Sequence, residues 1–202
     1  MFSLMYGLWE YVCRKEELNV LIIGLDKAGK TTILEKIKGM YSSLPGMAPE
    51  KILPTVGLNV GKIDFSSSTK LILWDLGGQS GLQNIWEKYY ADCHAILFVI
   101  DATDLSRAEE AKEALDKPLG GRDTFGAPLL VLANKCDQQD AAQSADEVAS
   151  NLGLSAVTSR PHKVLQASGH SGQGIADGMS WLVSAVQQSN RALLMRQRRV
   201  RQ

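Results

Sequence analysis

The chain has 202 residues, 45% apolar and 22% charged, which suits one globular domain with a single sizeable core. Lys plus Arg (22) balance Asp plus Glu (22), so bulk charge marks neither a nucleic-acid binder nor an enzyme of acidic substrates. Cys13, Cys93 and Cys136 are scattered, without Cys-x-x-Cys spacing, and no apolar run reaches the roughly 20 residues of a bilayer span. A disulfide framework and a transmembrane helix are therefore not expected. The N-terminus also lacks the basic region and cleavage site of a secretory signal, which points to a cytoplasmic protein that touches a membrane only at its surface.

In chain order, residues 1–12 place Phe2, Met5, Leu8, Trp9 and Val12 at helical spacing on one face, widened by Leu4 and Tyr11. This amphipathic helix either docks on its own domain or leaves it to touch lipid. Residues 19–23 read as a buried strand, 24–29 as a Gly-rich loop, and a helix opens at Lys30 and fades near Gly39. Residues 40–54, with Pro45, Gly46, Pro49 and Pro54, form a long loop of the kind that is functional or mobile. Residues 58–65 and 70–74 are β-rich and joined by three serines as a hairpin. Continuous apolar runs at 95–100 and 129–133 suit strands covered on both faces, and 164–167 is a shorter sixth candidate. Helices are expected at 105–115, 145–152 and 175–188. The alternation predicts an α/β fold with a mostly parallel, doubly wound sheet of six strands and helices on both faces.

Three motifs carry the chemistry. Gly24-Leu-Asp-Lys-Ala-Gly-Lys-Thr31 matches the phosphate-loop pattern in its required context of strand, loop and helix. Its backbone N–H groups, from Gly24 through Asp26, Lys27, Ala28 and Gly29 to Thr32, wrap phosphates at a helix N-terminus. Lys30 adds an ammonium for the β- and γ-phosphates, and Thr31 a hydroxyl for Mg²⁺. Trp74-Asp-Leu-Gly-Gly-Gln79 follows a strand: Asp75 is a second Mg²⁺ residue, the Gly78 N–H a γ-phosphate contact, and Gln79 the group that orients the attacking water. Asn134-Lys-Cys-Asp137 follows the fifth strand. A carboxylate at Asp137 accepts from guanine N1–H and the exocyclic amine, a pair that adenine does not offer. Asn134 braces the loop and reaches the base, and the Lys135 stem lies along the ring. Alone, the last two motifs read as ordinary turns; their order along one chain gives them meaning. Thr55 offers a hydroxyl to Mg²⁺ and an N–H to the γ-phosphate. Ser168, Gly169 and His170 sit where a loop closes over the base, with the Gly169 N–H as a base contact.

Together these residues resemble the Ras-like small GTPases, and within them the Arf family. The loop G-L-D-x-A-G-K-T, the P-T-V-G-x-N-V around Thr55, W-D-L-G-G-Q and Trp86-Glu-Lys-Tyr-Tyr90 carry the likeness, which runs over residues 18–186. The resemblance implies five main helices, a switch I at Thr55, a switch II over 78–90, and a hairpin between them that slides in register on GTP binding. Division of the chain follows: 1–16 as N-terminal amphipathic helix, 17–189 as GTPase domain, 190–202 as a basic tail. The match looks closest to the Arf-related-protein subgroup of the trans-Golgi, because residues 39–53 are longer than in a typical Arf and residue 2 is Phe. Without a glycine at that position N-myristoylation is ruled out, and the resemblance implies a membrane-protein receptor instead. Partners implied are an exchange factor, an activating protein and effectors at the switches, for a monomer at the Golgi surface that regulates vesicle-mediated transport. Nucleic acid is not expected as a partner.

His94, His162 and His170 show no metal spacing and read as solvent or structural residues. Trp86, Tyr89 and Tyr90 divide evenly between core and an effector-facing patch. The Arg-rich end (Arg191, Arg196, Arg198, Arg199, Arg201) reads as a solvated tail, with anionic lipid as its minority use. No arginine in the switch segments is placed as a finger in cis, so unaided turnover is expected to be slow, of order 10⁻⁴ s⁻¹. The competing readings are a nucleotide-stabilised adaptor that never cycles, against which Lys30, Thr55 and Gln79 stand, and an ATP-dependent kinase, against which Asp137 stands.

Overall fold

Six strands form one sheet in the order β2-β3-β1-β4-β5-β6, in a computed structural model that describes residues 15–42, 46–138 and 142–200, with side chains as far as Met195. The strands are β1 (Glu16–Ile23), β2 (Leu58–Asp64), β3 (Thr69–Leu76), β4 (Ala95–Asp101), β5 (Leu129–Asn134) and β6 (His162–Gln166). The helices are α1 (Lys30–Tyr41), the single turn α2 (Glu87–Tyr90), α3 (Ala108–Gly120), α4 (Ala145–Asn151), α5 (Ile175–Gln188) and α6 (Asn190–Val200). β2 runs antiparallel to β3, and every other pairing is parallel. The expected N-terminal helix lies outside the described residues.

The central strands are apolar throughout because each face meets helices. Leu18, Val20 and Ile22 of β1, with Leu97, Val99, Leu130 and Leu132, point to one layer with Ile33, Leu34 and Ile37 of α1 and Met179, Leu182 and Val186 of α5. The alternate positions Leu21, Ile23, Ile96, Phe98 and Val131 point to the other, where Trp86, Ala111, Leu115 and Val148 cover them. Each fully buried aliphatic side chain contributes roughly 1.5–3 kcal/mol of transfer free energy. Trp86 and Tyr90 are core, which decides the even reading of that segment, while Tyr89 tilts against Trp74 at 5.4 Å. His94 is structural: its Nδ1 accepts from the Asn19 N–H at 2.9 Å.

Several boundaries differ from expectation. α1 continues through Gly39 to Tyr41, whose ring packs on Phe65 with centroids 5.0 Å apart, so tertiary packing overrides the glycine signal. The loop expected over 40–54 is shorter by those two residues and carries a 3₁₀ turn at Pro49–Lys51. α3 runs past residue 115 and takes Pro118 inside it, where the ring is buried. The basic end is not simply a solvated tail. It opens as a helix, α6, and Arg191 is only 3% exposed: its guanidinium donates to the carbonyls of Tyr90 (2.8 Å) and Cys93 (3.0 and 2.8 Å). The Tyr90 carbonyl also accepts from the Cys93 thiol at 3.3 Å, and the buried guanidinium serves both carbonyls.

Candidate nucleotide site

The cleft lies at the carboxyl ends of β1, β3, β4 and β5, where a doubly wound sheet reverses its strand order. It has a volume of about 320 Å³, and is lined by Asp26, Lys27, Gly29, Lys30, Thr31, Thr32, Ile52, Leu53, Pro54, Thr55, Gly78 and Gln79. Eight of the residues that the sequence assigns to phosphate contact, and Gln79 beside them, thus share one wall.

The loop after β1 is shaped by backbone that side chains rarely adopt. Lys27 has φ 62°, and Gly24 passes so close to β4 that a Cβ there would stand 2.1 Å from the Val99 carbonyl oxygen. Gly78 is equally confined, since a Cβ would meet Lys30 Nζ and the Gly24 oxygen, both at 2.4 Å. The loop is braced on two sides. The Asp26 N–H donates to the Gly78 carbonyl at 3.2 Å, and Arg107 donates to the Asp26 carbonyl (3.0 Å) and carboxylate (2.7 Å) while Glu110 holds its other edge. The Arg107 guanidinium lowers the Asp26 carboxyl below its ordinary range. Lys30 is buried, its ammonium donating to the Leu25 carbonyl at 2.7 Å. Burial pushes it down to about 8, against the opposing pull of Asp75 and Asp26.

Beside the loop three oxygens converge. The Thr31 hydroxyl donates to Asp75 Oδ2 at 2.6 Å, Thr55 Oγ1 lies 2.8 Å from Thr31 Oγ1, and Thr55 reaches the same carboxylate at 3.3 Å. The Asp75 Oδ1 is buried with no partner within hydrogen-bond distance among the described residues, and burial raises the Asp75 carboxyl despite Thr31, Lys30, Thr55 and Asn59. An all-oxygen set with one unpartnered buried carboxylate oxygen fits a small hard cation such as Mg²⁺. The Gly77 N–H donates to the Gly57 carbonyl at 3.0 Å, and buried Trp86 donates to the Gly77 carbonyl at 3.0 Å. Gln79 is exposed at the cleft edge.

At the other end Asn134 ties two loops together. Its Nδ2 donates to the Ala28 carbonyl at 2.8 Å, and its Oδ1 accepts from the Gly169 N–H at 2.9 Å. The Gly169 N–H, expected as a base contact, is spent on this brace. Lys135 adopts φ 70°, and its ammonium pairs with Asp101. Asp137 is exposed, Ser168 is buried with its hydroxyl accepting from the Ser171 N–H, and the His170 carbonyl accepts from Lys36 Nζ at 2.9 Å. Asp101, Arg107 and Lys36 escape a motif reading because each acts through a loop distant in sequence. Glu110, three residues beyond Arg107 at a helix start, is a local sign of Arg107, and Thr103, two residues beyond Asp101, is one of Asp101.

The model of the ADP-ribosylation factor family matches residues 5–186. The chain is a member of that family. ADP-ribosylation factor-related protein 1 of Rattus norvegicus is 42% identical over 188 residues, covering 92% of this chain and 93% of that protein. ADP-ribosylation factor-like protein 3 of Saccharomyces cerevisiae is 39% identical, with 95% and 97% covered. Among solved structures, the Arl6 (BBS3) small GTPase of Trypanosoma brucei, which carries the nucleotide analogue GppNp, aligns with a TM-score of 0.74 at 28% identity over 85% of this chain and 98% of that one. This Arf-family chain is therefore a GTP-binding and GTP-hydrolysing molecular switch on a phosphate-loop fold.

Proposed function

We propose that the cleft holds GTP or GDP with Mg²⁺ in the arrangement that the motifs describe. The observation that carries this is the convergence of Thr31, Thr55 and Asp75 beside a buried Lys30, in a cleft walled by the phosphate loop. Backbone N–H groups of residues 24–32 surround the phosphates, and the Lys30 ammonium stabilises the β- and γ-oxygens. Thr31, Thr55 and Asp75 hold Mg²⁺, which when bound neutralises charge that develops on the phosphate oxygens. The Gly78 N–H meets the γ-phosphate, so its loss on hydrolysis releases switch II. Gln79 orients the attacking water. Asp137 reads guanine, Asn134 and Lys135 frame the base, and Ser168, Gly169 and His170 close over it.

Residues 17–189 serve as the switch domain, with exchange factor, activating protein and effectors meeting it at the switches. Likeness to the Arf-related proteins supports work in vesicle traffic at the cytoplasmic face of the trans-Golgi. Membrane contact is assigned to the apolar positions of residues 1–12, aided by a membrane-protein receptor. Competition binding with GTP, XTP and ATP tests the base assignment. Asp137→Asn exchanges an acceptor for a donor and is expected to shift preference from guanine to xanthine nucleotides; an unchanged GTP preference refutes it.

A further inference from the structure

Helix α1 carries a buried carboxylate for which the phosphate chemistry has no use. The Glu35 side chain is 7% exposed, one turn beyond Thr31, and accepts from the Met47 backbone N–H at 2.9 Å and from Lys38 Nζ at 2.7 Å. Burial pushes this carboxyl up, and the two donors together bring it below its ordinary range. The backbone of Gly46 lies directly on α1 at the same place: a Cβ there would stand 2.1 Å from the Glu35 carbonyl oxygen, and a Cβ on Gly39 would stand 3.2 Å from the Gly46 nitrogen. Chain and helix touch backbone to backbone, locked by one carboxylate. The Lys38 ammonium is 36% exposed, so that ion pair is worth little. The bond from the part-buried Met47 N–H to an ionised oxygen is the stronger of the two.

The segment that starts at this lock runs on through Ile52, Leu53, Pro54 and Thr55, which wall the phosphate cleft. It has a second fixing at Thr55, on Thr31 and Asp75. We infer that Glu35 is a positioning residue whose hold on Met47 keeps this strap closed over bound nucleotide and slows nucleotide release. The inference rests on the nucleotide reading of the cleft. With the lock undone, the strap swings from one end only, and its closed state loses the hydrogen bond that favoured it.

The test is release of a fluorescent mant-GDP from the full chain in Mg²⁺, chased with excess GDP. Glu35→Ala is expected to speed release about tenfold, the worth of one hydrogen bond to a charged acceptor. Glu35→Gln keeps a neutral oxygen for the Met47 N–H and is expected to speed release by only about threefold, between wild type and Glu35→Ala. Gly46→Ala, made on the strap instead of the helix, is expected to match Glu35→Ala, and the double variant to be no faster than either. Hydrogen exchange is expected to rise at residues 46–55 in both Ala variants and to stay unchanged in β4 and β5, which general destabilisation would not do. Release at the wild-type rate in Glu35→Ala, or equal acceleration by Gln and Ala, overturns the role of Glu35 while leaving the cleft assignment intact. Failure of the wild-type chain to bind mant-GDP overturns both.

Discussion

At the scale of single residues, the site is built from groups held in states that water would not favour. Lys30 is the clearest case, because burial holds it near 8, close to working pH. Phosphate contact restores the preference for the ammonium, so binding takes up a proton wherever the free lysine is neutral. Below about pH 8 this group adds no pH dependence. Above it, GDP affinity falls as pH rises, with uptake approaching roughly one proton per nucleotide. Calorimetry near pH 9 in buffers of different ionisation enthalpy checks this; heats that do not depend on the buffer count against the assigned contact. The residues legible in the sequence stand in short contiguous patterns, and the fold brings them to one region: Lys30, Thr31, Asp75, Asn134. Those it hides act across the chain. Arg107 braces Asp26 from 81 residues away, and Lys36 holds the His170 carbonyl from 134. No local pattern encodes such partners. The Gly169 N–H, expected at the base, donates instead to the Asn134 side chain.

At the scale of elements, continuous apolar runs located β4 and β5 because those strands are covered on both faces, the edge strands β2 and β6 gave weaker signals, and the pattern failed where an element ends. Helix ends are decided by tertiary partners: Tyr41 against Phe65 extends α1, and a buried ring keeps Pro118 within α3. The C-terminal helix is the sharpest instance. Its arginines look alike in sequence, yet Arg191 is a structural bolt between α6 and the chain that leaves α2. Truncating it would leave the Cys93 carbonyl unserved, at about 1–3 kcal/mol, and the Tyr90 carbonyl with only the weak Cys93 thiol donor. Arg191→Ala is therefore expected to lower stability by about 2–4 kcal/mol in denaturant unfolding. Hydrogen exchange should rise in α6 and around residues 90–93. A variant within about 0.5 kcal/mol of wild type would show that the contact contributes nothing net.

At the scale of the whole molecule, the parallel sheet has two poles. The nucleotide cleft occupies the carboxyl ends of the strands, whereas β1 begins, and α6 starts against the Tyr90 and Cys93 carbonyls, at the opposite pole. β1 thus begins at the pole away from the phosphates, and the coupling proposed between nucleotide and membrane would have to cross the sheet. GTP-loaded protein is expected to float weakly with liposomes and GDP-loaded protein hardly at all. Replacement of Phe2, Leu8 and Trp9 by Ala should abolish flotation with nucleotide affinity nearly unchanged. Equal flotation of both nucleotide forms would count against that coupling. The most direct test of the switch itself is single-turnover hydrolysis of GTP in Mg²⁺, wild type against Gln79→Leu, with and without an Arf-family activating protein. Wild type is expected to turn over slowly alone, near the 10⁻⁴ s⁻¹ of Ras-like proteins, and much faster with the activator. Gln79→Leu should bind GTP and barely respond. Hydrolysis by Gln79→Leu at the wild-type rate, activator present, would contradict the account.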